Sequence, residues 1–233
     1  MHADALADID RLDIDATEHY TISLHRPEWH QGVVGVVASR LKDRYHRPAV
    51  VFARGGAGEL RGSGRSIAGF HLRDALDLVA KRLPGAILRF GGHAFAAGLT
   101  LREEALAEFG AALEAVARER LTPADLRRVH ESDGPLAIGE LTFAFCRALG
   151  EPVWGQGLAP PAFDDVFDVV AQQAVGDGHA RLALERSGER FGAIAFRTAL
   201  PLPPRIHALY RPELRHFRDL LDLTLVVDYW TSA

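Results

Sequence analysis

From Tyr20 onward the apolar residues follow two alternating periods. In "HYTISLH", Tyr20, Ile22 and Leu24 alternate with polar positions, which predicts a strand. In "HQGVVGVVASRLKDRYHRP" the spacing lengthens. Val33, Val36, Val37 and Leu41 recur at helical intervals, and Pro48 stops the helix. "AVVFA" then predicts a short apolar strand, and "GELRGSGRS" a strand punctuated by glycine. "HLRDALDLVAKRL" places Leu72, Leu76 and Val79 on one helical face. "AILRF" predicts a strand that ends at Gly91-Gly92-His93, a turn leading on toward a helix. "REEALAEFGAALEAVARERL" is a long helix, with acids in its first turn and arginines near its end, as the helix dipole favours. Strands and helices thus alternate over residues 20–128, the pattern of an α/β domain with a mixed sheet.

The character changes after that. "RRVHESDGPL" is polar and has no period, so it reads as a linker. "GELTFAFCRALG" predicts a short helix, and "EPVWGQGLAPP" a Pro/Gly-rich hinge. Residues 129–160 are therefore a linker with one helix. From residue 161 five strands follow: "AFDDVFDVVAQQAVG", "HARLALERSG", "RFGAIAFRT", "RIHALYRP" and "LLDLTLVVDYW". Their spacing and polar turns predict a small antiparallel barrel or sandwich.

Composition narrows the class. A chain of 233 residues that is 48% hydrophobic and 25% charged is neither disordered nor fibrous. No apolar run approaches the roughly 18 residues that span a bilayer, and "MHADALADIDRLDID" lacks the layout of a signal peptide. One cysteine, Cys146 in "FAFCRAL", reads as a buried core residue and fits a reducing cytoplasm. The net charge of −4 argues against nucleic acid until its distribution is read. Residues 40–93 hold eleven Lys/Arg against four Asp/Glu, a basic island in an otherwise acidic chain. Such an island is either a phosphate-binding surface or a solvated face.

Three motifs in and beside the island could hold an anion. Ser63 and Arg65 stand two apart, so on a strand they share a face. A hydroxyl and a guanidinium fork pointing together make a phosphate clamp; the alternative is an exposed strand with a salt-bridged arginine. His30 and Gln31 stand at the mouth of a helix, where free N–H groups attract anions or are simply capped. Gly91, Gly92 and His93 would present an imidazole on a thin backbone. Bond-breaking equipment is harder to find. There is no H-x-H, H-E-x-x-H or C-x-x-C pair, no nucleophile elbow and no P-loop, and "DIDRLDID" reads as a solvated helix face.

"PEWHQGVVGVVASRLKDRYHRPAVVFA", "GSGRSIAGFHLRDAL" and "FGGHAFAAGLTL", in this order, resemble the C-terminal part of the RecJ family. These are bacterial single-strand-specific 5′→3′ DNA exonucleases of the DHH phosphoesterase superfamily. The resemblance implies a DHH-associated domain over residues 20–128, an OB-like β-barrel over 161–233, and the remnant of a connecting helix over 1–19. It implies that His93 meets the substrate near the scissile phosphate, and that Ser63 and Arg65 hold a phosphate at the 5′ end of the strand. It also implies two divalent ions, manganese or magnesium, in a catalytic domain preceding residue 1, with none bound by this chain. The partners so implied are single-stranded DNA and that catalytic domain, with other repair proteins unknown and no membrane; the setting is cytoplasmic DNA repair and recombination. Two alternatives stay open: a stand-alone module that binds single strands without catalysis, with Phe191, Phe196, Tyr210 and Phe217 as candidate stacking residues, and a related DHH-type oligoribonuclease or phosphatase.

Overall fold

The computed structural model describes residues 18–56, 58–155, 158–176, 178–217 and 220–233, with 216, 217 and 220 described by backbone alone. The acidic "DIDRLDID" segment and the expected connecting helix lie outside these residues, apart from Glu18 and His19. Described contacts divide the chain into two units that meet between Arg128 and Val129.

The first unit is a five-stranded sheet with helices on both faces. β1 (Ile22–His25) pairs in parallel with β2 (Ala49–Arg54); β3 (Glu59–Arg65), β5 (Ala96–Arg102) and β4 (Ile87–Gly92) then follow in antiparallel order. Helix α1 (Val34–Tyr45) covers one face. Its inward residues are Val34, Val37, Ala38 and Leu41, which pack on Ile22, Ala49, Val51 and Ala53. Val36, expected on that stripe, is 42% exposed. In "VVGVV" nearly every position is apolar, so the period predicts a helix without fixing its phase. His46 ends α1 in the left-handed region at φ 49°, and its N–H donates to the Lys42 carbonyl.

Helices α2 (Leu72–Arg82) and α3 (Leu106–Arg120) cover the other face. Leu72, Leu76 and Val79 are buried there against Phe52, Leu60, Leu101 and Phe109. Fully burying each such side chain stabilises by roughly 1.5–3 kcal/mol. The α2 N-cap is His71, whose ring accepts from the Asp74 amide, and Lys81 pairs with Asp77 at 2.6 Å one turn away. From α3 the Glu114 carboxylate accepts from the amides of Tyr20 and Thr21 and from the Thr21 hydroxyl, anchoring the approach to β1.

The Gly-Gly-His segment is the tip of a β-hairpin between β4 and β5. It does not lead from a strand to a helix. Strand β5 begins with small residues, Ala96, Ala97 and Gly98, which carry almost no strand propensity. Its place in the sheet comes from pairing with β3 on one side and β4 on the other.

The second unit is a closed barrel. Its strands are β6 (Phe163–Val175), β7 (His179–Arg186), β8 (Glu189–Ala195), β9 (Arg205–Phe217) and β10 (Leu220–Ser232), in the order β10-β8-β7-β6-β9. The ladder is antiparallel except between β10 and β8, which run parallel, so the barrel is mixed and a two-sheet sandwich is excluded. Helix α4 (Phe143–Gly150) starts at Thr142, whose hydroxyl accepts from the Phe145 amide at 3.2 Å. It packs Cys146 and Phe145 against the barrel core. Burial pushes the Cys146 thiol pKa up, in keeping with a core residue. Inside the barrel, Tyr210 donates to Asp165 at 2.8 Å, and Arg186 pairs with the same carboxylate. Burial, then the Asp165 contact, raises the pKa of the Tyr210 phenol.

Candidate functional site

Cross-strand register assembles a surface on the α1 side of the first sheet. On β3, Leu60, Gly62 and Gly64 face the α2/α3 core, and a Cβ on Gly62 or Gly64 would strike Phe52, Leu99 or Leu72 at 2.6–2.7 Å. Core packing therefore requires these two glycines, and it turns Arg61, Ser63 and Arg65 to the opposite face. Pairing extends each of these residues into a row across the sheet. Arg61 lies opposite Thr100, which lies opposite Arg89; Ser63 lies opposite Gly98, then Gly91. Arg65 lies opposite Ala96, whose carbonyl accepts from the His93 amide at 2.8 Å. The face thus has a floor of Gly98, Gly91 and Ala96, all exposed, with Arg61, Arg89 and His93 also exposed around it. On this side α1 packs on Ala49, Val51 and Ala53 of β2 and reaches β3 at Gly35.

Ser63 and Arg65 form a preorganised pair. The Arg65 Nη1 donates to Ser63 Oγ at 3.0 Å and to the Gly64 carbonyl at 2.8 Å. Because the Ser63 oxygen accepts from Arg65, its own proton is left to donate outward. Gly35 in α1 stands against this pair: a Cβ there would lie 3.2 Å from Arg65 Nη2 and 3.3 Å from Ser63 Oγ. Among the described residues, Arg61, Arg65 and Arg89 form no ion pair with a carboxylate. Other arginines of the chain are held by carboxylates, as in Arg82–Glu119 at 2.7 Å and Arg211–Asp228 at 2.7 Å. Unpaired guanidinium groups grouped over bare backbone form a surface suited to phosphate oxygens.

Gly91 and Gly92 sit at the hairpin end. Gly92 has φ 143°, and a Cβ there would lie 2.4 Å from the Ala96 carbonyl oxygen; around Gly91 the space is open. His30 and Gln31 are held by local bonds: the His30 Nδ1 accepts from the Gly32 amide at 3.0 Å, and Gln31 donates to the Arg54 carbonyl at 3.1 Å. They stand on the loop entering α1, whose Gly35 borders the Ser63–Arg65 pair. Sequence reading passed over Arg61, Arg89 and Gly98. The i+2 spacing from Ser63 flags Arg61, whereas the other two join the face only through pairing.

On the barrel, Tyr210 is fully buried and Phe191 packs on the core, which removes both as stacking candidates. The Phe217 side chain lies outside the described residues. Phe196 is 44% exposed and meets the His179 ring edge-on at 5.2 Å. No cluster of three or more His, Cys, Asp or Glu among the described residues could hold a metal ion.

Residues 18–119 match the DHHA1 domain, and residues 132–229 match the RecJ OB domain. The chain is 40% identical to the single-stranded-DNA-specific exonuclease RecJ of Haemophilus influenzae over 90% of its own length and 38% of that protein. To the Escherichia coli protein of the same name it is 39% identical over 89% of its length and 37% of the other. The crystal structure of Thermus thermophilus RecJ in complex with Mg2+ superposes with a TM-score of 0.74 at 27% identity, covering 100% of this chain and 35% of that one. A second structure of that protein contains Mn2+. The chain thus spans well under half the length of the curated relatives it matches.

Proposed function

The chain belongs to the RecJ family, carrying its DHHA1 and RecJ OB domains, and on that premise we propose that its bare basic sheet face holds the 5′ end of single-stranded DNA for a 5′→3′ exonuclease. The observation that carries the reading is the Ser63–Arg65 pair, locked in position with its guanidinium free of any described carboxylate. Arg65 offers its remaining N–H groups as a fork to the terminal phosphate, and Ser63 adds a hydroxyl donor. His93, exposed at the hairpin tip, lies at the end of the same row and faces the substrate beyond the terminus. Phe196 offers an exposed ring on which a base can stack. The Thermus thermophilus RecJ structures are complexes with Mg2+ and Mn2+, and no bond-breaking step is assigned to the residues named here. The partner is single-stranded DNA, and the setting is cytoplasmic DNA repair and recombination.

The test is a two-by-two binding comparison at low ionic strength: wild type against Arg65→Ala, 5′-phosphorylated against 5′-hydroxyl oligonucleotides. A charge-assisted hydrogen bond contributes about 1.5–3 kcal/mol. Arg65→Ala should therefore lower the preference for the phosphorylated end by about 10- to 150-fold, as far as the wild-type preference allows. Arg65→Lys should recover part of it, since lysine keeps the charge and loses the fork. Equal losses on both ends would make Arg65 a general backbone contact and end the clamp reading.

A further inference from the structure

The terminal clamp leaves one row of the basic face unused. Pairing of β4 with β5 slips at Leu88: Ile87 lies opposite Leu101, yet Arg89 lies opposite Thr100. Without that bulge, strict alternation would aim Arg89 with Ile87 into the α2/α3 core. A bulge interrupts ladder pairing, and its usual effect is to re-aim a side chain. Here it turns an arginine onto the face that carries Ser63 and Arg65. Arg61 stands at the other end of the same row, across Thr100. A glycine makes room for it: a Cβ at Gly55, in the turn between β2 and β3, would lie 3.0 Å from Arg61 Cγ and 3.2 Å from the Glu59 carbonyl oxygen. Both arginines are exposed, and neither pairs with a described carboxylate.

Position decides what this row can meet. Alternate residues of β3 share a face, so the open face carries Glu59, Arg61, Ser63 and Arg65 in that order. His93 stands at the Arg65 end, bonded to Ala96. A strand held by its terminal phosphate between Ser63 and Arg65 runs on toward His93. The Arg61–Arg89 row lies behind that terminus, where no nucleotide follows. The chemistry that extends a 5′ end in that direction is further phosphate, joined through anhydride oxygens. The row is two residues, about 6.8 Å, along β3 from Ser63, and a phosphate bridged to the terminal one lies nearer than that. We propose that Arg61 and Arg89 form a subsite for the outer phosphates of a 5′-di- or triphosphorylated strand, flanking them with two guanidinium forks. Glu59 follows at the next position on the face, so the basic run ends after this one row. The subsite rests on the clamp reading for where the innermost phosphate lies, but different probes measure it.

The probes are oligothymidylates of one length ending in a 5′-hydroxyl, a 5′-monophosphate or a 5′-triphosphate. Binding of the full 233-residue chain is titrated at low ionic strength with a chelator present, so that no free metal ion masks the phosphates. Wild type should bind the triphosphate at least about tenfold more tightly than the monophosphate, the factor that one charge-assisted hydrogen bond supplies. Arg89→Ala should remove most of that advantage and leave the hydroxyl and monophosphate strands within about twofold of wild type. Arg61→Ala should repeat the pattern, and Arg89→Lys should keep part of the advantage, since lysine retains the charge and loses the fork. A triphosphate bound no better than a monophosphate overturns the proposal, as does no binding by wild type. Equal losses of Arg89→Ala on the two phosphorylated strands also overturn it, because the arginine then acts as general positive charge. If hydroxyl and monophosphate ends bind alike while the triphosphate advantage persists and depends on Arg89, the clamp reading falls and this subsite stands. If Arg65 discriminates monophosphate from hydroxyl and the triphosphate gains nothing, this subsite falls alone.

Discussion

A Cβ at Gly92 would lie 2.4 Å from the Ala96 carbonyl oxygen and 2.5 Å from the Ala97 Cα, on a backbone at φ 143°. Gly91, one residue earlier, has nothing within 4 Å of the same position. The two glycines therefore do different work: Gly92 closes the hairpin, and Gly91 keeps the floor of the face bare. Gly92→Ala should destabilise the first unit by at least about 2 kcal/mol, through backbone strain and overpacking. Gly91→Ala should leave the unfolding free energy within about 0.5 kcal/mol of wild type, as surface substitutions do, while weakening single-strand binding severalfold. Thermal unfolding and binding titration of the two variants separate the roles. Binding that survives Gly91→Ala intact would take the glycine floor out of the site. Both glycines stood out in the sequence as a pair, but their division of labour depends on the position of Ala96 across the turn.

At the level of elements, the segment entering the barrel is fastened along the start of β6. Asp133 and Ala162 exchange two bonds, the Asp133 amide to the Ala162 carbonyl at 2.7 Å and the Ala162 amide to Asp133 Oδ2 at 3.0 Å. Asp164 receives the Ser132 hydroxyl on one oxygen and contacts the His207 ring on the other at 2.6 Å. The Ser132 hydrogen bond, followed by His207, holds the Asp164 pKa below the ordinary carboxylate range. A group lowered in the folded state stabilises above its unfolded pKa, near about 4, and that contribution disappears as pH falls through the folded value. The acid limb of barrel unfolding should therefore shift to higher pH in Ser132→Ala, and should flatten in Asp164→Asn, when the unfolding midpoint is followed from about pH 6 down to about pH 2. An unchanged acid limb in both variants would show that the fastening contributes nothing. The sequence marked "RRVHESDGPL" as a polar linker, and it does lack regular elements. Its bonds to β6 could not be read because their partners lie about thirty residues away.

Across the whole molecule, the buried residues fall into clusters that respect the division at Arg128. One pair of clusters lies on the two faces of the first sheet, and another cluster fills the barrel. Leu184 is fully buried in the barrel cluster. Leu184→Ala should cost the barrel about 2–5 kcal/mol, the usual range for truncating a buried leucine. The proposed preference for 5′-phosphorylated strands should survive, since Ser63 and Arg65 belong to the other unit. Calorimetry of wild type and variant should show one transition lowered and the other held. A joint shift of the whole unfolding profile would mean that the two cores are energetically one. Net charge gave little guidance at this scale: the chain is −4 overall, and the charge distribution, eleven Lys/Arg against four Asp/Glu over residues 40–93, pointed to the basic face.

Local periodicity alone determined the alternating α/β half and the run of barrel strands, because the alternation of a strand and the turn of a helix need only near neighbours in sequence. It also marked Ser63 and Arg65 as sharing a face, since the i+2 rule acts within one strand. The tertiary structure decided what else stands on that face. Arg89 and Gly98 reach it through strand register, and Arg89 only because the ladder slips at Leu88. The sequence pattern led toward a helix after His93, and alanine does favour one, yet Ala96–Arg102 is a strand. Their conformation is set by hydrogen bonds to β3 and β4, whose residues lie more than thirty positions away for β3 and just across the hairpin for β4. Pairing energy, more than propensity, therefore fixed this surface.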